Sequence, residues 1–296
     1  MTDINPEQIS VDPYTSPLFI EKGVQVAVLR LDLLHPVISG NKWFKLRYYI
    51  EEARRLKKDR LVTFGGAWSN HIHATAAAGK LYGLHTTGII RGEKPRLLSD
   101  TLQQAMEMGM QLEYLSREAY RQDILPGHID LRSAVLIPEG GAGPVGVKGA
   151  ASICSFFRTE AYTDVCCAVG SGTMMAGLIQ ALQNKVKVTG ISAMKNNHTL
   201  KAEVAALLGS PLQQPEIIHD YHFGGFARHT DQLLDFMNAL YRDSGIPTDK
   251  VYTGKLFYAI HDLARKNHFP RGSKILLIHS GGLQGNRSLP NGSLIF

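Results

Sequence analysis

The stretch DVCCAVGSGTMMAGL (residues 164–178) sets the fold class. An apolar run ends at Val169, Gly170-Ser171-Gly172 follows, and a helical pattern starts at Thr173. Glycines let a backbone approach a ligand closely. The unpaired N–H groups and positive end of the helix then favour an anion, so the junction reads as a phosphate loop. A plain strand-to-helix turn is the simpler alternative. The Walker pattern is missing, since no G-K-[ST] follows four intervening residues. The dinucleotide fingerprint also fails, because Met175 stands where glycine or alanine is needed. A single phosphate on a compact cofactor fits better.

Outward from this junction the same grammar repeats. LVTFGG (61–66), HTTGIIRG (85–92), QLEYL (111–115), AVLIPEGG (134–141), VKVTGIS (186–192) and KILLIHSGG (274–282) read as strands. Helical patterns over 70–82, 97–108 and 147–157 alternate with them. This order predicts an α/β fold of parallel sheets covered on both faces by helices. Strands end in glycine loops at 65–66, 140–141, 170–172 and 280–282. Ligands of open parallel sheets bind beyond the strands' carboxyl ends, so four such loops point to one crevice.

At 296 residues the chain predicts two lobes or one large domain. The net charge is +6, yet no run of five basic residues occurs and no aromatics interleave with basic ones, which argues against nucleic acid. Cys154, Cys166 and Cys167 form neither a disulfide framework nor a C-x-x-C motif. The polar opening MTDINPEQIS lacks a leader pattern, and no apolar run is long enough to span a membrane. A cytoplasmic protein that does not engage membranes is expected.

In HPVISGNKWFKLRYYIEEARRLKK (35–58), a Gly-Asn turn becomes an amphipathic helix. Lys42 stands at the junction and Lys45 one turn on, along the same face. A lone helical lysine is usually a solvated charge. Beside a phosphate loop, however, it is a candidate nucleophile, able to form a Schiff base if held neutral. In FGGAWSNHIHATAAAG (64–79), Ser69 and Asn70 mark a helix start, where capping competes with holding a substrate carboxylate. Ser69 is also a candidate acid/base or nucleophile. His71 and His73 lie two apart and share no helix face, so no metal is expected.

SGNKWFKL (39–46), GGAWSNH (65–71), IPEGGAGPVGVKG (137–149), AVGSGT (168–173) and VYTGK (251–255), in this order, resemble the 1-aminocyclopropane-1-carboxylate (ACC) deaminase/D-cysteine desulfhydrase family. These are pyridoxal-phosphate (PLP) enzymes of the tryptophan-synthase-β-like fold, type II. The resemblance implies two open parallel-sheet domains covered by helices. Residues 1–44 plus 156–296 would form the large PLP-binding domain and 45–155 the small one. It implies Lys42 as the Schiff-base lysine, with Lys45 and Gly170, Ser171, Gly172 and Thr173 about the phosphate. Asn70 would bond the cofactor's 3′-oxygen. Ser69, Asn70 and His71 would receive the substrate carboxylate, and Tyr252 would act on the reacting substrate. A homodimer binding a small amino acid is expected.

Three positions separate the branches. Ser69-Asn70-His71 resembles the desulfhydrases, where ACC deaminases carry S-N-Q. Thr253 replaces the deaminase glutamate that faces the pyridine nitrogen, and Ser280 supplies the desulfhydrase hydroxyl at that nitrogen. A hydroxyl leaves the nitrogen largely neutral, which suits α-proton removal and β-elimination. The resemblance thus implies a lyase acting on a small amino acid, of the D series, and giving pyruvate, ammonia and sulfide. The alternatives are ACC deaminase, another type II reaction, or a non-catalytic anion- or nucleotide-binding α/β protein. Two departures bear on the substrate. Trp68 precedes Ser69 where relatives often have glutamine. Phe226 stands where a tyrosine is often found, unless Tyr221 is its counterpart.

Overall fold

The computed structural model describes residues 4–122, 124–209 and 215–296. In chain order, β1 (Val11–Tyr14), α1 (Pro17–Lys22) and β2 (Gln25–Arg30) lead to α2 (Asn41–Arg55). Then come β3 (Arg60–Gly65), α3 (Asn70–Tyr82), β4 (His85–Arg91), α4 (Asp100–Glu107), β5 (Met110–Leu115), α5 (Arg117–Arg121) and β6 (Ala134–Ile137). The second half holds α6 (Pro144–Ala151), β7 (Asp164–Val169), α7 (Thr173–Leu182), β8 (Lys187–Ser192), α8 (Leu200–Leu208) and β9 (Glu216–Ile218). It closes with α9 (Asp231–Ser244), α10 (Thr253–Arg265) and β10 (Lys274–His279).

These strands form two sheets, ordered β1-β2-β10-β7-β8-β9 and β5-β4-β3-β6. All pairings are parallel except β1 with β2, an antiparallel edge. The two-residue period of a strand explains the layers of the larger sheet. Val165, Cys167, Val169, Leu276 and Ile278 face one core with Val147, Leu178 and Val204 of α6, α7 and α8. Cys166, Ala168, Ile275 and Leu277 face the opposite core with Phe19, Leu240, Leu256 and Ile260 of α1, α9 and α10. Being buried on both faces, β7 is apolar at almost every position, as the sequence suggested.

Two helices differ from expectation. The segment expected from residue 97 begins at Asp100, because Ser99 Oγ accepts the Leu102 N–H and caps it. The helix expected over 147–157 begins at Pro144 and gives way to a 3-10 turn at Ser152–Phe156. Proline suits a first helical position, since its missing N–H would have no partner there. Among the described residues no helix is long and apolar enough to cross a membrane.

Candidate active site

The four glycine loops meet. A cavity of about 630 Å³ opens at the carboxyl ends of both sheets, and residues 66–71, 139–140, 168–172 and 280–282 all line it. Lys42, Lys45, Trp68, Ser69, Asn70, His71, Gly170, Ser171, Gly172, Phe226, Tyr252 and Ser280 are on its wall.

Lys42 is aimed by a close backbone contact. Gly40 precedes α2 with φ +66°, and a Cβ there would lie 1.8 Å from the Ser280 carbonyl oxygen. Only glycine lets the α2 start pass so near the β10 loop. The Asn41 N–H donates to that carbonyl at 3.2 Å. Lys42 Nζ donates to Asn41 Oδ1 at 3.1 Å, and Asn41 Nδ2 donates to Met174 Sδ at 3.3 Å. Burial pushes the Lys42 amine down to about 8, against the opposing pull of the Asp249 carboxylate. Lys45 is buried and donates to the Gly140 carbonyl at 3.2 Å. Burial, then the Lys42 charge, pushes it well below the ordinary lysine value.

At the phosphate loop, Gly172 takes φ +74°, and a Cβ there would meet Val204 Cγ2 at 2.4 Å. Among the described residues no side chain caps α7, which leaves its first N–H groups available to an anion. Thr173 departs from expectation. It is fully buried and off the wall, its hydroxyl paired with Ser171 Oγ at 3.1 Å.

At the start of α3, Ser69 Oγ accepts the Ile72 N–H at 3.3 Å, so capping and cavity-lining coexist in one residue. Asn70 packs against the β10 loop, where a Cβ on Gly282 would fall 2.5 Å from its Nδ2. His71 Nε2 lies 2.8 Å from Thr63 Oγ1, whose single proton goes to the Ile137 carbonyl at 2.9 Å. Thr63 therefore accepts from His71 Nε2–H, which leaves Nδ1 a buried acceptor with no partner among the described residues. Burial, then the Lys42 and Lys45 charges, keeps this imidazole neutral.

Tyr252 faces the cavity with the Phe226 ring edge-on, at a centroid distance of 6.0 Å. Burial, reinforced by Asp249 and Glu139, raises its phenol, which stays protonated at neutral pH. Tyr221 is not on the wall; its hydroxyl donates to Asp262 Oδ2 at 2.8 Å. Of the two, Phe226 is the one on the cavity wall. Thr253, which stands where the deaminases carry their glutamate, is fully buried and absent from the wall. Its hydroxyl donates to Asp249 Oδ2 at 2.7 Å.

Sequence reasoning missed Asp249. Its buried carboxylate accepts the N–H groups of Val251, Tyr252 and Thr253 at 2.8–2.9 Å, thereby fixing the Tyr252 backbone. Arg91, Glu139 and Lys250 also line the cavity unforeseen. Only their convergence in space marks them, although Glu139 sits inside a quoted motif.

Residues 13–281 match the family model described as "Pyridoxal-phosphate dependent enzyme". A Pyrococcus horikoshii protein named "Putative 1-aminocyclopropane-1-carboxylate deaminase" is 30% identical, over 90% of this chain and 86% of its own. The bifunctional D-cysteine desulfhydrase/ACC deaminase of Arabidopsis thaliana is 27% identical, over 90% of this chain and 74% of its own. A solved structure of an ACC deaminase homologue superposes with a TM-score of 0.80 at 29% identity, covering 96% of this chain and 92% of its own.

The wall fits that cofactor. A lysine held near neutrality, an uncapped helix start behind glycines, and a second buried amine make up the donor set that an aldehyde bearing a phosphate requires.

Proposed function

This chain belongs to the PLP-dependent enzyme family, of fold type II, and within it we propose a lyase that removes the β-substituent of a small amino acid, as D-cysteine desulfhydrase does. The observation that carries the reading is the hydroxyl at the β10 loop: Ser280 is on the wall, while Thr253 is turned into Asp249 and no carboxylate is contributed by 280–282. A cofactor nitrogen meeting a hydroxyl rather than a carboxylate suits elimination at Cβ.

When bound, PLP supplies the carbonyl that condenses with amines and the ring that takes up the electron pair left at Cα. The chain's own residues supply the rest. Lys42 holds the cofactor. The α7 start with Gly170, Ser171 and Gly172 receives the phosphate, and Lys45 supports it from Gly140, where a Cβ would lie 3.8 Å from Ser171 Oγ. Thr173 supports this loop through Ser171. Asn70, on the same wall, would hydrogen-bond the cofactor's 3′-oxygen. The first N–H groups of α3, with Ser69, take the substrate carboxylate. Lys42, its amine lowered to about 8 by burial, would take the Cα proton. Tyr252, kept protonated, donates to the departing β-sulfur. Trp68 and Phe226 shape the mouth. D-Cysteine and water would yield pyruvate, ammonia and hydrogen sulfide.

The test is product analysis of purified, PLP-loaded protein. D-Cysteine should release sulfide and pyruvate in equal amounts. Release of 2-oxobutanoate from ACC, with none of these products from D-cysteine, would replace this reading with ACC deaminase, the name carried by the Pyrococcus relative.

A further inference from the structure

Four cations line the cavity: Lys42, Lys45, Arg91 and Lys250. Two have tasks in the preceding reading, on which the present inference rests. Lys42 holds the cofactor and Lys45 stands by its phosphate. Lys250 has no such task. It is 6% exposed, and its Nζ makes no ion pair or hydrogen bond among the described residues. It is not among the fully enclosed unpaired polar atoms either, so its ammonium keeps contact with accessible space. The wall's two carboxylates are Glu139 and Glu203, and neither pairs with it. His229 and Lys255 do not relieve it, since the Lys250 charge lowers the basicity of both.

A largely enclosed lysine whose ammonium has no protein partner leaves part of its desolvation cost unmet. Its position is nevertheless fixed. The Lys250 N–H donates to Asn286 Oδ1 at 3.0 Å, pinning it to the 283–288 turn. Two residues on, Asp249 holds the Tyr252 backbone. Lys250 thus stands on the same short segment as the residue read as acting at the substrate's β-substituent. The α-carboxylate is already served by the α3 start, on the opposite sheet's loop. The unmet charge therefore lies on the side-chain end of the substrate site.

We propose that Lys250 is a specificity residue for an acidic group on the substrate side chain, so that the preferred substrate is an amino acid carrying a second negative charge. Cysteine itself would bind without using this ammonium. An elimination substrate of this class keeps the same balance: the Cα–H and Cβ–X bonds break, X leaves with a proton, and water converts the three-carbon remainder to pyruvate and ammonia.

The matched pair glutamate and glutamine tests this on the PLP-loaded protein, in both enantiomers. They differ only in the charge of the tail, and neither carries a β-leaving group. Binding is read from the visible spectrum of the cofactor. Glutamate should bind about 10-fold or more tightly than glutamine, as one charge-assisted hydrogen bond implies. The preference should vanish in Lys250→Gln and persist in Lys250→Arg, with cofactor absorbance and thermal midpoint reporting that each variant is folded. Equal binding of the pair to the wild-type protein overturns the proposal without needing any variant. A preference lost in Arg91→Gln but kept in Lys250→Gln also overturns it, by assigning the charge to Arg91. Turnover of S-carboxymethylcysteine against S-methylcysteine separates the two readings. A charge preference in binding with no elimination from either, or from cysteine, sinks the lyase reading alone. Elimination with no charge preference sinks the Lys250 assignment alone.

Discussion

Asp249→Asn tests how Tyr252 is held. In the native chain Oδ1 accepts from Val251 N (2.9 Å) and Tyr252 N (2.8 Å), while Oδ2 accepts from Thr253 N (2.9 Å) and Thr253 Oγ1 (2.7 Å). An asparagine keeps one acceptor oxygen and turns an NH₂ toward the second pair. The threonine hydroxyl can rotate and accept, but the Thr253 N–H cannot, and it is left facing a donor. Two charge-assisted bonds become neutral ones, and one buried N–H loses its partner. Each such change costs on the order of 1–3 kcal/mol, with partial relaxation, so a total of about 2–4 kcal/mol is expected. For a chain of this size that is a fall of roughly 5–10 °C in thermal midpoint. A second consequence is electrostatic. The Asp249 charge holds the amine of Lys42 up against burial, so removing it lowers that amine below about 8. Cofactor capture by the unloaded variant, followed by visible absorbance, should extend to lower pH than in the wild type. A midpoint within about 1 °C of the wild type would refute the bonding account. An unmoved capture profile would refute the electrostatic one.

Other outcomes follow from the same geometry. Capture of PLP by the unloaded wild-type protein should accelerate as pH rises through about 8 and level off above it, because only the neutral Lys42 amine attacks; stopped-flow absorbance reads this. Gly40→Ala forces a Cβ to within 1.8 Å of the Ser280 carbonyl oxygen at φ +66°, so it should cost about 2 kcal/mol or more and slow capture, measured by denaturant titration and absorbance. Tyr252→Phe should lower kcat by about 100-fold or more, whereas Tyr221→Phe, off the cavity wall, should cost only about 1 kcal/mol of stability and leave kcat near wild type; steady-state assays compare them.

Much of the fold was readable because it is written locally. The β7–α7 junction announces itself through an apolar run, glycines and a helical pattern, and α3 runs over 70–82 as its alanine-rich sequence suggested. Convergence of the four glycine loops followed from one rule about parallel sheets. The unread parts depend on distant residues. β1 and β2 are a short edge and its neighbour, and Gln25 and Arg30 at the ends of β2 blur its apolar run. Thr253 shares a motif with Tyr252 but not its surroundings. Tyr252 precedes the helix with φ −125° and ψ −68°, and Thr253 opens α10 under the Asp249 carboxylate. The choice between Tyr221 and Phe226 lay in a loop with positive φ at Phe223, Gly224, Gly225 and Ala227, where no period guides an alignment. Asp249 and Lys250 belong to no local pattern, and the bonds of one and the isolation of the other appear only in three dimensions.

The most direct test of the central claim is borohydride reduction of the PLP-loaded protein, followed by digestion and mass mapping. The account predicts the pyridoxyl group on Lys42 and its disappearance in Lys42→Ala. A label on Lys45 or Lys250, or a colourless protein with no reducible adduct, would contradict it.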